Sequence, residues 1–295
     1  MATIHPTAII DASAVLADSV RVGPYCVIGP DVTIGERTAL HNHVIVQSLT
    51  TIGADNEIYP FSVIGADPQD RKFQGEAAYC TIGDRNRIRE HVTIHRGTAN
   101  GGYYTRLGSD NLVMVAAHIA HDCMIGDRVT IANQVMLAGH VRIEDGGNIG
   151  GGAGIHHFVT VGNCAFVGGM ARISRDVPPF MIVEGNPAEV RAVNSIAMNR
   201  GGYDAQDIDA VKEAFRRLFR DNGGTMIEKV ATVREVLPEV AAVTALCDAL
   251  IATADGVHGR ALEHTRLDDK RAAEVREPSV SSAPQRPRRS FSSAS

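Results

Sequence analysis

Residues 20–35 read VRVGPYCVIGPDVTIG, and aliphatic side chains at Val22, Ile28 and Ile34 recur there at every sixth position. Eleven successive positions in this phase are aliphatic without exception: Ile4, Ile10, Leu16, Val22, Ile28, Ile34, Leu40, Val46, Ile52, Ile58 and Ile64. A period of six differs from the 3.6 of an α-helix and the 2 of a simple strand. It therefore indicates a repeating unit made of a short strand and a turn.

The repeat returns in two further segments. It resumes in phase at Ile82, Ile88 and Ile94, slips by one residue, and then runs for twelve positions from Leu107 to Ile173. Chance does not produce such runs in a chain that is 44% hydrophobic. Three units close a triangular coil, and stacked coils lie about 4.8 Å apart, the usual spacing between strands. The repeat thus predicts an all-β parallel β-helix over residues 1–190.

Glycine often follows the repeated aliphatic residue, as at Gly23, Gly29 and Gly35. We expect these glycines to supply the backbone angles and the close approach that the corners need. Aromatic residues make up only 5% of the chain and Trp is absent, which suits a narrow interior filled by aliphatic side chains.

Two long interruptions break the repeat, at residues 66–80 and 95–106. Loops of this length that leave a regular solenoid usually carry function, although a tolerated insertion is the alternative. Beyond Ile173 the sequence Val177-Pro178-Pro179 cannot continue a ladder, because proline lacks the N–H group.

A small α-helical C-terminal domain is predicted over residues 191–258, because apolar residues there recur at helical spacing. We expect Gly223-Gly224 to end the main helix, and Thr225 with Glu228 to form a capping box for the next one. Residues 259–295 become charged and then rich in Ser, Pro and Arg, which predicts a disordered tail.

Composition limits the function classes. A net charge of −5 does not favour nucleic acid as the partner. The five cysteines are scattered and never form a C-x-x-C pair, which predicts neither a disulfide framework nor a zinc ribbon. With no signal peptide and no apolar stretch long enough for a membrane span, we expect a cytoplasmic protein.

Histidines cluster late in the repeat, and three interpretations compete. The steps from His121 to His140 and on to His156 are close to one coil, so these side chains should lie near one edge of successive coils. They are either solvated edge residues, ligands of a zinc ion, or a site in which one imidazole acts as a general base.

Longer motifs are more specific than the repeat. IGDRNRIREHVTIHRGT begins at Ile82, LGSDNLVMVAAHIAHDC begins at Leu107, and QDRKFQGE begins at Gln69. With LAGHV, DVPPF and EGNPA in the expected order, the chain resembles the UDP-N-acetylglucosamine O-acyltransferases that begin lipid A biosynthesis. The resemblance covers about residues 3–250. It implies a left-handed β-helix, a homotrimer with sites between subunits, and transfer of an (R)-3-hydroxyacyl chain from acyl carrier protein to the sugar 3-hydroxyl.

The resemblance also implies residue roles, with no metal, cofactor or acyl-enzyme. His121 is the general base, Asp122 holds its tautomer, and the N–H of Gly139 stabilises the oxyanion. Gly169 matches the position that limits acyl-chain length, and glycine there predicts a long chain. The substrate-binding positions are Gln69, Asp70, Lys72, His95, His118, His140, His156, His157, Asn194 and Arg200.

Three positions depart from the family pattern. His157 stands where Gln is usual, Pro187 where His is frequent, and Gly201 where a second Arg is usual. Lys212, Arg216, Arg217 and Arg220 form a basic helix face, which is either solvated or docks the acidic carrier protein. Three alternatives to this function remain, of which the first is the zinc site. The second is a related N-acyltransferase, which normally has an N-terminal uridine-binding domain, and the repeat starting at Ile4 leaves no room for one. The third is a catalytically inactive scaffold.

Overall fold

Short strands stack in parallel from Thr3 to Ile173, each on the strand one coil earlier. The structure, a computed structural model, describes residues 1–237, 240–257, 259 and 262. Within these residues the strands form three sheets, here called faces A, B and C, which are the three sides of the coil. The predicted all-β left-handed parallel β-helix followed by α-helices is confirmed.

Face A has eleven strands, face B nine and face C eight in the described part of the chain. Face A contains Thr3–Ile4, Arg21–Val22, Ala39–Leu40, Glu57–Ile58, Arg87–Ile88, Leu112–Val113, Thr130–Ile131, Asn148–Ile149, Phe166–Val167, Met181–Gly185 and Ala188–Val193. Face B contains Ile9–Ile10, Val27–Ile28, Ile45–Val46, Val63–Ala66, Thr93–His95, His118–Ile119, Met136–Leu137, Gly154–Ile155 and Arg172–Ile173. Face C contains Val15–Leu16, Thr33–Ile34, Thr50–Ile52, Tyr79–Ile82, Tyr104–Leu107, Met124–Ile125, Arg142–Ile143 and Thr160–Val161.

The repeated aliphatic residue points into the coil. In the strand Val27–Ile28, Ile28 is 1% exposed whereas Val27 is 38% exposed, so the two residues face opposite ways. Burying one such side chain stabilises the fold by about 1.5–3 kcal/mol. The ladder of inward aliphatic residues is therefore the main source of cohesion between coils.

The corners use glycine differently from the prediction. The left-handed backbone is supplied mostly by residues with side chains, such as Tyr25, Asp31 and Arg37, whose φ angles are 58°, 56° and 57°. Gly35 has no such angle, but a Cβ there would lie 2.7 Å from the backbone carbon of Gly53 in the next coil. The expectation of close approach is right, and the expectation that these glycines supply the corner angles is wrong.

A ladder of buried asparagines satisfies the backbone at one corner. Asn86 donates from Nδ2 to Oδ1 of Asn56 at 3.0 Å and to the carbonyl of Gly108 at 2.9 Å. Its own Oδ1 accepts from the N–H of Asn111 at 2.9 Å. Polar residues are therefore tolerated at these inward positions because neighbouring coils supply their partners.

Both loops are visible as jumps in register. Contacts between successive coils normally join residues 18 apart, as from Asn56 to Thr38. Across the first loop the separation is 30, and across the second it is 25. The first loop adds a multiple of six and preserves the phase, whereas the second adds seven and causes the observed slip. The ends of the loops are ordered, since the strands Tyr79–Ile82 and Tyr104–Leu107 pair in parallel.

Strands continue beyond Ile173, where the six-residue period ends. Met181–Gly185 pairs in parallel with Phe166–Val167, and Ala188–Val193 then pairs with it in antiparallel fashion. Strand structure thus extends three residues past the predicted boundary at 190. The six-residue repeat does not predict this segment, because a hairpin lacks the repeating turn of the coil.

Four helices follow in the described residues: α1 Ser195–Arg200, α2 Ala205–Phe215, α3 Met226–Val236 and α4 Ala241–Ala254. A π-helical turn extends α2 to Arg220, so it ends before the predicted Gly223-Gly224. The capping box of Thr225 and Glu228 is confirmed. None of the helices described here has the length and apolar character needed to cross a membrane. The predicted disordered tail, residues 259–295, lies outside the described residues apart from Gly259 and Leu262.

Candidate active site

His121 and Asp122 occupy a corner between faces B and C, directly after the strand His118–Ile119. Nδ1 of His121 lies 2.7 Å from Oδ2 of Asp122. Asp122 has a φ angle of 61°, the left-handed conformation that forms this tight corner. A carboxylate at Nδ1 holds the proton on that nitrogen and leaves Nε2 as the acceptor. The pair is therefore built to accept a proton at Nε2.

The second loop buries and orders the carboxylate of Asp122. Thr98 donates from its N–H to Oδ1 at 2.8 Å and from its hydroxyl to Oδ2 at 2.7 Å. The N–H of Asp122 donates to the hydroxyl oxygen of Thr105 at 2.7 Å. A Cβ at Gly101 would lie 1.9 Å from Cγ of Asp122, so only glycine fits above the carboxylate. The loop thus fixes the group that orients His121.

Three more histidines surround this pair. His95 and His118 meet edge to face with ring centroids 4.9 Å apart. His140 meets His121 in the same way at 5.2 Å, and its other side stacks on Phe158 at 4.4 Å. The structure therefore brings together His95, His118 and His140 around the predicted base, as the motifs imply.

Burial keeps these surrounding imidazoles neutral. It lowers the pKa of His95 to about 4, and the neighbouring His118 and His121 act in the same direction. Burial also lowers the pKa of His118. It lowers the pKa of His140 as well, against the opposing attraction of Asp122. Near pH 7 these groups can donate or accept hydrogen bonds without carrying charge.

A cleft of about 530 Å³ opens onto His121 along the outside of face B. Gly139 lies one coil beyond His121, and a Cβ there would come within 2.5 Å of His121 Cε1. Within the described residues, no hydrogen bond from the Gly139 N–H to the protein is found. The lining includes Gln69, His118, His121, Met136, Ala138, Gly139, Gly154, His156, His157 and Arg172.

The first loop reaches back over this cleft. Oδ2 of Asp70 lies 4.0 Å from Nε2 of His121 and 3.5 Å from Nζ of Lys72. The N–H of Lys72 donates to Oδ1 of Asp70 at 3.0 Å. Gln69 is exposed at the mouth of the cleft. The loop therefore places a carboxylate, an ammonium and an amide at the entrance to the histidine cluster.

Three predicted site residues lie elsewhere in the single chain. Asn194 and Arg200 line a separate hollow of about 700 Å³ beside face A. The Asn194 side chain caps α1 by accepting from the N–H of Ala197, and it donates to the carbonyl of Cys164 at 2.9 Å. Gly169 lies at the corner between faces A and B and does not line the His121 cleft. Within one chain, these three residues therefore do not lie in the cleft of the His121–Asp122 dyad.

A metal ion is sterically conceivable at the dyad. Ligand atoms of His121, Asp122 and His140 all lie within 4.8 Å of one another. However, the oxygens of Asp122 already accept two hydrogen bonds from Thr98 and one contact from His121 Nδ1. Coordination would displace these partners from a side chain with no exposed surface. The donor arrangement therefore favours the hydrogen-bonded dyad over a metal centre.

Proteins of known structure are similar to this chain in both sequence and fold. A family model described as "Udp N-acetylglucosamine O-acyltransferase; Domain 2" matches residues 176–258, and one for bacterial transferase hexapeptide repeats matches residues 1–36, 13–48 and 104–139. The solved structure of LpxA from Acinetobacter baumannii is 43% identical, with 85% of this chain and 97% of that chain covered and a TM-score of 0.81. The chain belongs to the UDP-N-acetylglucosamine O-acyltransferase family.

Other members of the family give the same result. The UDP-N-acetylglucosamine O-acyltransferase of Moraxella catarrhalis is 43% identical over 85% of this chain and 97% of that one, with a TM-score of 0.81. The Arabidopsis UDP-N-acetylglucosamine acyltransferase is 34% identical over 83% of this chain and 94% of that one, with a TM-score of 0.75. The resemblance seen in the motifs is thereby confirmed, and the chain is an acyltransferase of this family.

The sequence motifs do not reveal the residues that hold the dyad. Thr98 and Thr105 are buried and bind Asp122, and Phe158 stacks on His140. Thr98 ends the motif IGDRNRIREHVTIHRGT, but nothing in the sequence shows that it lies beside Asp122, 24 residues later. Only the return of the chain after the second loop brings them together.

The depressed pKa of His95 predicts a pH-dependent stability. In the unfolded chain a histidine titrates near 6.5, whereas folded His95 titrates at about 4. Below pH 6.5 the unfolded state therefore binds a proton that the folded state does not, and the free energy of unfolding falls as the pH drops towards 4. Between about pH 7 and about pH 5, we expect the fall in the free energy of unfolding to be smaller in His95→Gln than in the wild type by about 2 kcal/mol.

Urea unfolding of the wild type and the variant at both pH values measures this difference. His5→Ala, which replaces an exposed histidine, is the control variant. Equal pH dependence in the wild type and His95→Gln would show that His95 is not buried as a neutral group.

Proposed function

We propose that the enzyme transfers an (R)-3-hydroxyacyl chain from acyl carrier protein to the 3-hydroxyl of UDP-N-acetylglucosamine, the first step of lipid A biosynthesis, in the cytoplasm. The observation that carries this proposal is the dyad of His121 and Asp122, with Nε2 of His121 at the cleft and Nδ1 bonded to the carboxylate at 2.7 Å. The family relationship supplies the acceptor class.

The dyad supports direct transfer without an acyl-enzyme. Nε2 of His121 takes the proton of the sugar hydroxyl while the hydroxyl oxygen attacks the thioester carbonyl carbon. Asp122 stabilises the imidazolium that results. The tetrahedral intermediate then collapses, the C–S bond breaks, and the carrier's sulfur receives the proton from Nε2. The products are the 3-O-ester and the free thiol of the carrier protein.

Gly139 supplies the proposed oxyanion donor. Its N–H has no acceptor among the described residues, and it lies against His121 at the wall of the cleft. A backbone N–H is a suitable donor because it is fixed before the negative charge develops. Asp70, Gln69 and Lys72 at the cleft mouth are proposed to bind the sugar nucleotide, with the ammonium of Lys72 near its phosphates.

A homotrimer is proposed to complete the site. Face B carries an outward aliphatic column on its N-terminal coils, where Ile9 is 67% exposed, and this column continues through Val27, Ile45 and Val63. A contiguous apolar strip of this kind is typical of a protein interface. In such an assembly, Arg200 of a neighbouring subunit is proposed to reach the nucleotide, since within one chain Arg200 and His121 line different hollows.

The basic face of α2 and its π-helical turn is proposed to dock the acidic carrier protein. Within the chain, Lys212 pairs with Asp209 at 2.9 Å, and Arg216 pairs with Glu213 at 2.7 Å. These surface pairs are weak, so an acidic partner can exchange with them at little cost.

Mass spectrometry of the reaction product tests this function. Purified enzyme is given UDP-N-acetylglucosamine, or its 3-amino analogue, with carrier proteins bearing (R)-3-hydroxyacyl chains of several lengths. We expect the 3-O-ester, formed best from the long chains, because Gly169 matches the position that limits acyl-chain length in the family and carries no side chain. No product from any carrier-linked donor would contradict the proposal, and a product formed only from the 3-amino sugar would replace the acceptor. Sedimentation of the same preparation measures whether three chains associate.

A further inference from the structure

Arg96 follows His95 in the second loop and is nearly buried, with 11% of its side chain exposed. Its N–H donates to the carbonyl of Ala66, where the first loop leaves the coil, at 3.0 Å. Its side chain then turns towards the first loop. The two loops, which are separate in sequence, are therefore joined at this residue.

The guanidinium of Arg96 makes three different contacts. Nη2 lies 2.5 Å from Oδ1 of Asp67, and Nη1 donates to the hydroxyl of Ser48 at 3.0 Å. The guanidinium carbon lies 5.4 Å from the centre of the Phe73 ring. A planar fork with several N–H groups can serve these directions together, whereas the ammonium of lysine is a single point charge.

Asp67 and Phe73 lie on either side of the segment that reaches over the dyad. Asp70 stands midway between them in sequence, and the N–H of Phe73 donates to the carbonyl of Asp70 at 3.1 Å. The carboxylate of Asp70 lies 4.0 Å from His121 Nε2 and 3.5 Å from Lys72 Nζ. Arg96 therefore contacts the first loop both before and after the residues that face His121.

The contacts of Arg96 do more than stabilise the folded chain. Its Nε is buried and has no hydrogen-bond partner among the described residues. Its partner Asp67 is 68% exposed, so the ion pair is partly screened by water. Burying a cation carries a desolvation penalty, so the net stability added by this ion pair is small. The contribution of the guanidinium is geometric, since it contacts Asp67 and Phe73 on either side of Asp70.

We propose that Arg96 is a positioning residue of the transfer reaction, which holds Asp67 and Phe73 so that Asp70 and Lys72 face His121. This role rests on the function proposed above, in which Asp70 and Lys72 bind the sugar nucleotide. Arg96 does not line the His121 cleft and acts through the first loop.

Steady-state kinetics of Arg96→Met test the proposal. Without the contacts from Arg96 to Asp67 and Phe73, the first loop can move. This weakens binding of the sugar nucleotide equally in the ground state and the transition state. The KM for UDP-N-acetylglucosamine should rise by about tenfold or more, while kcat changes by less than about threefold. Arg96→Lys keeps the charge near Asp67 but lacks the fork, and its KM should lie between those of the wild type and Arg96→Met.

A double-mutant cycle with Asp67 separates positioning from general damage. Asp67→Asn changes an exposed residue, and it should raise KM by a smaller factor than Arg96→Met. In the double variant the KM should match that of Arg96→Met alone, because both changes break the same contact. Arg37→Met is the matched control, since Arg37 pairs with Asp55 at 2.6 Å on the corner opposite face B. It should leave KM unchanged.

The outcomes are distinct. An unchanged KM in Arg96→Met, or a lowered kcat and melting temperature with wild-type KM in both Arg96 variants, overturns the positioning role. Effects of Asp67→Asn and Arg96→Met that simply multiply also overturn it. If the wild type shows no transfer that depends on His121, the proposed function has failed, and this inference fails with it.

Discussion

His121→Ala is expected to lower the rate of acyl transfer by more than about 10²-fold, the loss typical of removing a general base. Nε2 of His121 is the nitrogen left free at the cleft, because Nδ1 is bonded to Asp122. The surrounding His95 and His140 are poor substitutes, since burial lowers the pKa of each. Initial rates with the carrier-linked donor and UDP-N-acetylglucosamine measure the loss.

Two controls accompany this variant. His5→Ala removes an exposed histidine far along the chain and should keep the wild-type rate. Sedimentation should show that His121→Ala assembles as the wild type does. A near wild-type rate in a correctly assembled variant would show that another group takes the proton, and the assignment of the base would be wrong.

Gly139→Ala is expected to lower kcat by about 10²-fold, because a displacement near 1 Å of a catalytic group has an effect of this size. The added Cβ would lie 2.5 Å from Cε1 and 2.7 Å from Nε2 of His121. Real carbon contacts do not approach so closely, so the imidazole must shift from the dyad. The same shift disturbs the N–H proposed to stabilise the oxyanion. Single-turnover rates report this loss separately from binding.

Gly151→Ala is the matched control for this change. It also lies at a corner of the β-helix, but its Cβ would meet nothing closer than the carbonyl oxygen of Asn133 at 3.4 Å, an ordinary contact. It should retain wild-type kcat. A wild-type kcat in Gly139→Ala would mean that the reaction does not need the imidazole where the structure places it.

The ladder from Ile4 to Ile173 could be recognised from the sequence because each coil repeats one local rule. An inward aliphatic residue and a turn are properties of six neighbouring residues, and stacking follows once three units close a coil. The capping box at Thr225 and Glu228 is equally local, and it too was predictable. The strands Met181–Gly185 and Ala188–Val193 were not, since a hairpin has no period of six.

Within the site, the motifs identified the histidines and Asp122 by their resemblance to a family. They did not show that Thr98 holds the carboxylate or that Gly101 must be small to cover it. Nor did they show that the Asn194 side chain caps α1. Each of these facts depends on contacts between residues that the loops separate along the chain.

The sequence is enough to predict the coil, its phase, the positions of both loops and the family. It does not predict how His121 is held or how Arg96 joins the loops above it, which are visible only in the folded chain. The difference comes from the range of the interactions. The repeat is set by contacts within one coil, whereas the site is set by hydrogen bonds and charges between segments whose separation the 12- and 7-residue insertions change.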